Sequence, residues 1–371
     1  MAETAAGAAA VTAGEDLHGF TPLRVVSVEH DPHDCVIVAF DTTEQGDRFA
    51  FTHGQHVNLR RRFGDVEVRR SYSICSPAPD GTLRIAIRQV PDGVFSSWAT
   101  RDLRAGDHVD VTAPTGHFTH ELDSEVARRY TFVAAGSGIT PIYGIMATIL
   151  GNEPRSSVSL WYLNRTLNSA MLLDDLQDLR DRYLSRLSIA YAFSREDTGS
   201  AVLSGRPDRA RFDRLIEVGL IPADVDHAFL CGPLAMIGAV ADALVDAGLP
   251  RERLHREIFT TKQVGTVTLA PQQITETSVA VAHGRATLHG RTSDFELYAG
   301  DSVLDAVQRV LPDAPFSCRS GVCSTCQAIL REGDVTMAVN YGLTDDEVAR
   351  GYVLTCQSHP VTDRVVVDYD A

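Results

Sequence analysis

The sequence predicts three consecutive folding units: a six-stranded antiparallel β-barrel, an α/β unit with a doubly wound parallel sheet, and an α+β unit of the β-grasp type. Three observations support this prediction. Residues 23–112 hold short β-rich runs between turn signals, residues 130–259 alternate apolar runs with helical patterns, and residues 318–326 contain three cysteines. Closely spaced strands are typical of barrels, whereas alternation of strand and helix is typical of a parallel sheet.

The barrel is predicted to occupy residues 19–124. Glycine-containing turns such as Phe63-Gly64-Asp65 and Pro79-Asp80-Gly81 separate its β-rich runs. The runs are 23–28, 34–40, 56–60, 67–74, 83–89 and 108–112.

The α/β unit is predicted to span residues 125–261. Its strands are expected at 130–135, 158–163, 187–193, 227–230 and 254–259, and its helices at 141–150, 171–183 and 234–247. A polar stretch at 262–276 is interpreted as a linker. The third unit then follows over residues 277–371, and the alanine-rich residues 1–18 are interpreted as a flexible tail.

Composition excludes several classes of function. The net charge of −15 argues against nucleic acid as a partner. No apolar run reaches the ~18 residues that a membrane span requires, and the N-terminus lacks the basic region of a signal peptide. Three of the seven cysteines, Cys35, Cys75 and Cys231, are scattered without a pairing pattern. We therefore expect reduced thiols in a cytoplasmic protein that does not bind membranes.

The remaining four cysteines form the strongest motif of the chain. They follow a C-x4-C-x2-C pattern with a distant fourth thiol, which is the plant-type ligand set of a [2Fe–2S] cluster. Small residues between them allow backbone N–H groups to approach the bridging sulfides. Structural zinc more often uses two separated C-x2-C pairs, and disulfide frameworks belong to small secreted chains. The predicted ligands are Cys318, Cys323, Cys326 and Cys356.

The segment Arg70-Ser71-Tyr72-Ser73 at the end of a predicted strand has chemistry suited to a flavin. Arg70 can pair with a diphosphate oxygen, Tyr72 offers a flat face to the ring system, and the Ser73 hydroxyl can reach flavin N5. Gly93-Val94-Phe95-Ser96 is predicted to open a helix whose N–H groups bind phosphate. His56 is a candidate flavin neighbour, with a structural strand histidine as the equal alternative.

Two turns at the carboxyl edge of the predicted parallel sheet suit a pyridine nucleotide. In the first, Gly136-Ser137-Gly138-Ile139-Thr140-Pro141, the glycines permit close approach of a diphosphate. Thr140 is predicted to be the helix N-cap and Pro141 the first helical residue. The second turn is Cys231-Gly232-Pro233, where Cys231 either fills a strand end or packs on the nicotinamide.

Basic residues follow two neighbouring strands and bear on the choice of nucleotide. Arg165 follows the strand at 158–163, and Ser194-Arg195 follows the strand at 187–193. Arginine and serine at these places favour a 2′-phosphate, whereas an acid would favour an unmodified ribose. Glu196 and Asp197 follow immediately and, as acids, weaken the inference that the site binds a 2′-phosphate. NADPH is therefore preferred, with NADH as the alternative.

Taken together, these motifs resemble the ferredoxin–NADP reductase superfamily, in the branch of oxygenase reductases with a C-terminal plant-type ferredoxin. Within that branch the chain looks closest to the reductase subunits of phenylacetyl-CoA epoxidases. The resemblance implies FAD, a [2Fe–2S] cluster, NADPH as donor and a separate oxygenase as acceptor. It is carried by residues 70–75, 134–141, 231–233, 340–341, 351–357 and 365–370.

The resemblance also implies a set of catalytic residues. The glutamate–aromatic motif of the family is present here as Glu257-Ile258-Phe259, so that Phe259 would shield the flavin and Glu257 would assist hydride transfer. Ser73 and Cys231 complete the set. Two alternatives stay open: a reductase serving another oxygenase, of steroid hydroxylase or Rieske type, and a redox sensor that turns over slowly.

Overall fold

The computed structural model describes residues 19–31, 34–78, 81–259 and 279–371. The predicted tail and linker lie outside these residues. Every helix within them is too short or too polar to cross a bilayer.

The first unit is the predicted six-stranded antiparallel barrel. Its sheet order is β4-β3-β6-β1-β2-β5, and a bridge between Ile74 and Ile85 joins the two ends. A helix, α1 (Val94–Arg101), follows the fifth strand. The strands are β1 (Phe20–Asp31), β2 (Cys35–Phe40), β3 (His56–Phe63), β4 (Val66–Ser73), β5 (Leu83–Arg88) and β6 (His108–Thr112).

The second unit is the predicted doubly wound sheet, with five parallel strands in the order β11-β10-β7-β8-β9. Buried apolar residues from two helices cover each face. The strands are β7 (Arg129–Ala135), β8 (Ser157–Asn164), β9 (Leu187–Phe193), β10 (His227–Gly232) and β11 (Leu254–Ile258), and the helices are α2 (Ile139–Asn152), α3 (Leu173–Arg182), α4 (Arg209–Glu217) and α5 (Leu234–Asp246).

Two local predictions in this unit were wrong. Helix α2 begins at Ile139 with Gly138 as its N-cap, so Thr140 is not the cap and Pro141 is not the first helical residue. The Thr140 hydroxyl instead donates to the Ser137 carbonyl at 3.0 Å. Helix α4 was not predicted, because only Phe212 and Leu215 of its nine residues are buried.

The third unit has a mixed five-stranded sheet in the order β13-β12-β18-β14-β16, with β12 and β18 parallel, and a separate β15–β17 pair. Helix α6 packs against the sheet through buried apolar residues. The elements are β12 (Ala280–Leu288), β13 (Arg291–Tyr298), α6 (Val303–Val310), β14 (Gln327–Glu332), β15 (Val335–Met337), α7 (Asp345–Ala349), β16 (Tyr352–Leu354), β17 (Ser358–Pro360) and β18 (Arg364–Asp368).

A fully buried carboxylate, that of Glu153, joins α2 to the first strand of the parallel sheet. It accepts hydrogen bonds from the Arg128 guanidinium at 2.8 Å, the Tyr130 hydroxyl at 2.8 Å and the Ser156 hydroxyl at 2.7 Å. A buried charge is tolerated only when its partners replace water, so these donors are what permits Glu153 at this position.

We expect Glu153→Ala to destabilise the protein by about 3 kcal/mol, because it leaves the Arg128 charge and the Ser156 hydroxyl without their partner. The measurement is the shift of the urea unfolding midpoint, followed by circular dichroism. The control is Glu125→Ala, whose side chain is 86% exposed and should change stability by less than about 0.5 kcal/mol. Equal shifts for both variants would contradict the expectation.

Candidate active site and cysteine loop

The segment predicted to bind flavin, Arg70–Ser73, forms the last four residues of β4 at the edge of the barrel. Ser73 is buried and Tyr72 half-buried here, and desolvation by the surrounding protein raises the pKa of the Tyr72 hydroxyl above its ordinary value. The Tyr72 ring packs 5.9 Å from the Phe95 ring. The Arg70 guanidinium donates to the Arg69 carbonyl at 2.7 Å and stays half-exposed.

The start of α1 has its side chains engaged within the protein. Phe95 is 1% exposed and belongs to the barrel core, 5.3 Å from the Trp98 ring. The Ser96 hydroxyl accepts from the Val90 N–H and donates to the Gly93 carbonyl, both at 3.2 Å. A phosphate contact from this turn therefore falls to its backbone rather than to the Phe95 or Ser96 side chains.

The first nucleotide turn lies against the end of β10. A Cβ on Gly138 would stand 2.3 Å from the Cys231 carbonyl oxygen, so only glycine permits this approach. Gly136 has a φ of +56°, and its carbonyl accepts from the Tyr162 hydroxyl at 3.1 Å. The two predicted turns, around Gly136 and around Gly232, are thus brought together at one edge of the sheet.

Three of the predicted catalytic side chains converge from different strands. Glu257 on β11 pairs in register with Cys231 on β10. Its Oε2 lies 3.5 Å from the Ser73 hydroxyl and 3.9 Å from the Cys231 sulfur. Burial raises the pKa of Glu257 to about 8, against the effect of these two contacts. Phe259, the fourth, donates its N–H to the Gly232 carbonyl at 3.0 Å.

The predicted 2′-phosphate residues are also neighbours. The Arg195 N–H donates to the Arg165 carbonyl at 2.8 Å, and the Ser194 N–H donates to the Asn164 carbonyl at 2.8 Å. Both arginine side chains are exposed. The Glu196 carboxylate, which weakened the inference, accepts from the Leu167 N–H at 3.0 Å.

Two further residues at this edge were missed from the sequence. Asn164 is 4% exposed, and neither of its side-chain amide atoms has a hydrogen-bond partner. The guanidinium of Arg88, on the barrel, hydrogen-bonds to the Ser169 carbonyl and lies 3.6 Å from the place of a Cβ on Gly136. A buried unpaired amide and a cation beside a glycine turn fit a hydroxyl-rich, phosphorylated ligand. Asn164 is the last residue of β8, and an amide at a strand end gives no distinct signal in the sequence.

The four cysteines of the third unit are grouped as two contacting pairs. Cys318 pairs with Cys323, which lowers the pKa of Cys318, and Cys326 pairs with Cys356, which lowers the pKa of Cys356. Cys318 also accepts backbone N–H groups of Ser320 and Cys323, both at 3.4 Å. Two thiol pairs with inward N–H donors fit two irons bridged by sulfide. In the described part of the chain, no group of three or more His, Cys, Asp or Glu side chains is placed to hold a single metal ion.

The cluster loop, residues 316–326, lies against β3 and β4 of the barrel. The Asn58 amide donates to the Thr325 hydroxyl at 3.1 Å, and the Ser71 and Ser317 hydroxyls are 2.9 Å apart. A flavin contact of Ser71 would therefore use its backbone. His56 is buried beside the Cys323 backbone; burial lowers the pKa of His56 to about 4, and its Nε2 has no hydrogen-bond partner.

Comparison with family models agrees with this three-part arrangement. Residues 22–120 match the oxidoreductase FAD-binding domain, residues 132–242 the oxidoreductase NAD-binding domain, and residues 286–361 the 2Fe-2S iron-sulfur cluster binding domain. The chain is 38% identical over 354 residues to a subunit of the 1,2-phenylacetyl-CoA epoxidase from Escherichia coli K12, covering 95% of this chain and 98% of that protein.

The chain belongs to the oxygenase-reductase family. The reductase is also 32% identical to the ferredoxin reductase component of 3-ketosteroid-9-alpha-monooxygenase from Mycolicibacterium smegmatis, over 94% of this chain and 96% of the relative. The solved structure of phthalate dioxygenase reductase superposes with a TM-score of 0.59 at 25% identity, covering 94% of this chain and 98% of that one. The prediction of fold class is confirmed.

The reductase is a flavin- and iron–sulfur-dependent oxidoreductase that uses FAD, a [2Fe–2S] cluster and a pyridine nucleotide. FAD accepts a hydride and releases electrons singly, which is the conversion that a two-electron donor and a one-electron cluster require. The protein supplies the geometry: Ser73 on β4 meets Cys231 and Glu257 of the parallel sheet, and the cluster loop lies two residues further along the same strands, against Asn58 and Ser71.

The raised pKa of Glu257 predicts a pH-dependent stability. The carboxyl ionises near its ordinary value of 4.5 in the unfolded chain but only near 8 in the folded protein. The folded state therefore binds more protons between these values, and stability falls as pH rises from 4.5 to 8, then levels off. We expect the melting temperature of Glu257→Gln relative to the native protein to rise between pH 5 and pH 8.

Melting is followed by flavin fluorescence across the pH series. Glu252→Gln, at an exposed position just before β11, is the matched control and should show a constant difference. A pH-independent difference for Glu257→Gln would mean that the carboxyl titrates alike in both states.

Proposed function

We propose that the reductase takes hydride from NADPH and delivers electrons singly, through FAD and the [2Fe–2S] cluster, to a separate oxygenase of the phenylacetyl-CoA epoxidase type. The observation that carries the choice of acceptor is the 38% identity, across almost the whole length of both chains, to a subunit of that epoxidase. The reductase component of a ketosteroid monooxygenase, at 32% identity, supports the second candidate acceptor. The redox sensor is the weaker alternative, because both relatives are named as parts of oxygenases.

The proposed division of labour follows the geometry. Arg70 pairs with the FAD diphosphate, and Ser73 lies at the hydride-accepting edge of the flavin. Cys231 packs on the nicotinamide. Glu257 holds a neutral carboxyl beside the Ser73 hydroxyl and the Cys231 sulfur at pH 7, because its pKa is raised to about 8. Phe259 shields the flavin face until the nucleotide enters. Catalysis here is mainly positioning, so no further acid or base is needed.

The nucleotide site supports NADPH as the donor. Arg165 and Arg195 present two exposed guanidinium groups at one edge of the sheet. Their backbones are joined by the hydrogen bond of 2.8 Å from the Arg195 N–H to the Arg165 carbonyl. Glu196, the nearest carboxylate in sequence, is held by the Leu167 N–H. Two neighbouring cations suit a phosphate dianion better than a ribose hydroxyl pair.

The test of the proposed acceptor is reconstitution with purified oxygenases. We expect NADPH-driven substrate oxidation by a phenylacetyl-CoA epoxidase and none, or far less, by a ketosteroid monooxygenase. Cys323→Ser is the internal control. It should lose transfer to the oxygenase and the visible iron–sulfur absorbance, yet keep bound FAD and ferricyanide reduction, because flavin supplies ferricyanide directly. Full transfer by Cys323→Ser would remove the cluster from the route, and turnover with only the ketosteroid enzyme would reverse the choice of acceptor.

The nucleotide preference gives a separate prediction. Loss of a charge-assisted contact to phosphate costs about 1.5–3 kcal/mol. Arg195→Ala should therefore raise the KM for NADPH about tenfold or more while that for NADH changes little. Steady-state ferricyanide reduction with each nucleotide measures both constants. Arg182→Ala, an exposed position on α3, is the control. Equal effects on both nucleotides would exclude Arg195 and make Arg165 the residue to vary.

A further inference from the structure

A continuous set of hydrogen bonds runs from the barrel to a predicted cluster ligand. The Ser71 hydroxyl donates to Asn58 Oδ1 at 2.6 Å, and Asn58 Nδ2 donates to Thr325 Oγ1 at 3.1 Å. Thr325 Oγ1 in turn lies 3.1 Å from the Cys323 sulfur. Asn58 is 2% exposed, so its amide is removed from water by the cluster loop.

Donor capacity fixes the direction of each bond. Asn58 has one carbonyl and one NH2 group, and Thr325 has a single O–H. Thr325 accepts from Asn58, so its own O–H donates onward, and the acceptors within reach are the Cys323 sulfur at 3.1 Å and the Cys323 carbonyl at 3.4 Å. A cysteine that ligates iron is a thiolate and carries no proton, so the bond between Thr325 and Cys323 has the threonine as donor. The order is therefore amide to hydroxyl to thiolate.

Hydrogen bonds to a ligating sulfur stabilise the reduced cluster, which carries one more negative charge. A hydroxyl that itself accepts a hydrogen bond becomes a stronger donor. Asn58 belongs to the barrel and Thr325 to the third unit, so this strengthening exists only while the two units are in contact.

We propose that Asn58 is a positioning residue that aims the Thr325 hydroxyl at Cys323, so that docking of the cluster loop on the barrel makes the cluster easier to reduce. One electron passes from reduced flavin to the oxidised cluster in the docked state. A cluster that leaves the barrel loses the Asn58 donor and is a stronger reductant toward an acceptor. The coupling rests on the proposed electron route but not on the identity of the oxygenase.

The test uses the full holoprotein with Asn58→Leu, which is close in size and cannot donate. A redox titration followed by electron paramagnetic resonance gives the cluster midpoint potential without any acceptor protein. We expect the equilibrium constant for cluster reduction to fall about threefold to tenfold, which for one electron is about 30–60 mV. Flavin content and ferricyanide reduction should be unchanged. A potential within about 10 mV of the native protein, well below that expected shift, would overturn the proposal.

Two companion variants separate the hydrogen-bond route from a general loosening of the contact. Thr325→Val cuts the route at its middle, so adding Asn58→Leu should shift the potential no further. His117→Gln removes another contact between the units, the 3.3 Å pair of His117 with Glu347, without touching the route. It should raise amide hydrogen exchange of the cluster loop but leave the potential near the native value.

An Asn58→Leu shift that persists in the Thr325→Val background would overturn the proposal. So would an equal shift in His117→Gln. Should Asn58→Leu fail to retain flavin, Asn58→Ser takes its place, since serine is too short to reach Thr325. Failure of the oxygenase reconstitution described above would leave the measured potentials untouched, so the two proposals can fail separately.

Discussion

The approach of Gly138 to the carbonyl of Cys231 is the contact on which the arrangement of the active site depends. A side chain at residue 138 would occupy space 2.3 Å from that oxygen, which no substitution can accommodate without moving β10. Since Cys231 is paired with Glu257 on the next strand, any such movement would also displace the carboxyl from Ser73. One backbone contact within the parallel-sheet unit therefore fixes where β10 places Cys231 and, through β11, where Glu257 stands relative to Ser73.

Much of the fold was predictable because each unit has a strong local pattern. Strand β9 has the predicted bounds, Leu187–Phe193, and the six barrel strands were all found within a few residues. Helix α4 was missed because only two of its residues are buried, and they lie within a run of charged residues that shows no clear apolar periodicity. Thr140 looked like a cap because threonine before proline often is one, but the 3-10 turn at Gly136–Gly138 starts the helix earlier.

The site was predictable only in part, for a physical reason. Ser73, Cys231 and Glu257 could be named because each sits in a motif at a strand end. The roles of Asn58 and of the Ser71 hydroxyl could not, because their partners Thr325 and Ser317 are about 250 residues away in sequence. Arg88 and Asn164 became apparent only when the sheet edge was assembled, since an arginine in a strand or an amide at the end of one carries no distinct signal alone.

The polar character of the contact between barrel and cluster loop has a consequence for synthesis. The barrel can fold while the C-terminal quarter of the chain is still being made, and until then the face carrying Asn58 is open to water. An apolar face of that kind would attract other unfinished chains. A face of amide and hydroxyl groups is hydrated equally well before its partner exists, so the nascent protein needs no separate protection at the surface that later faces its iron–sulfur loop.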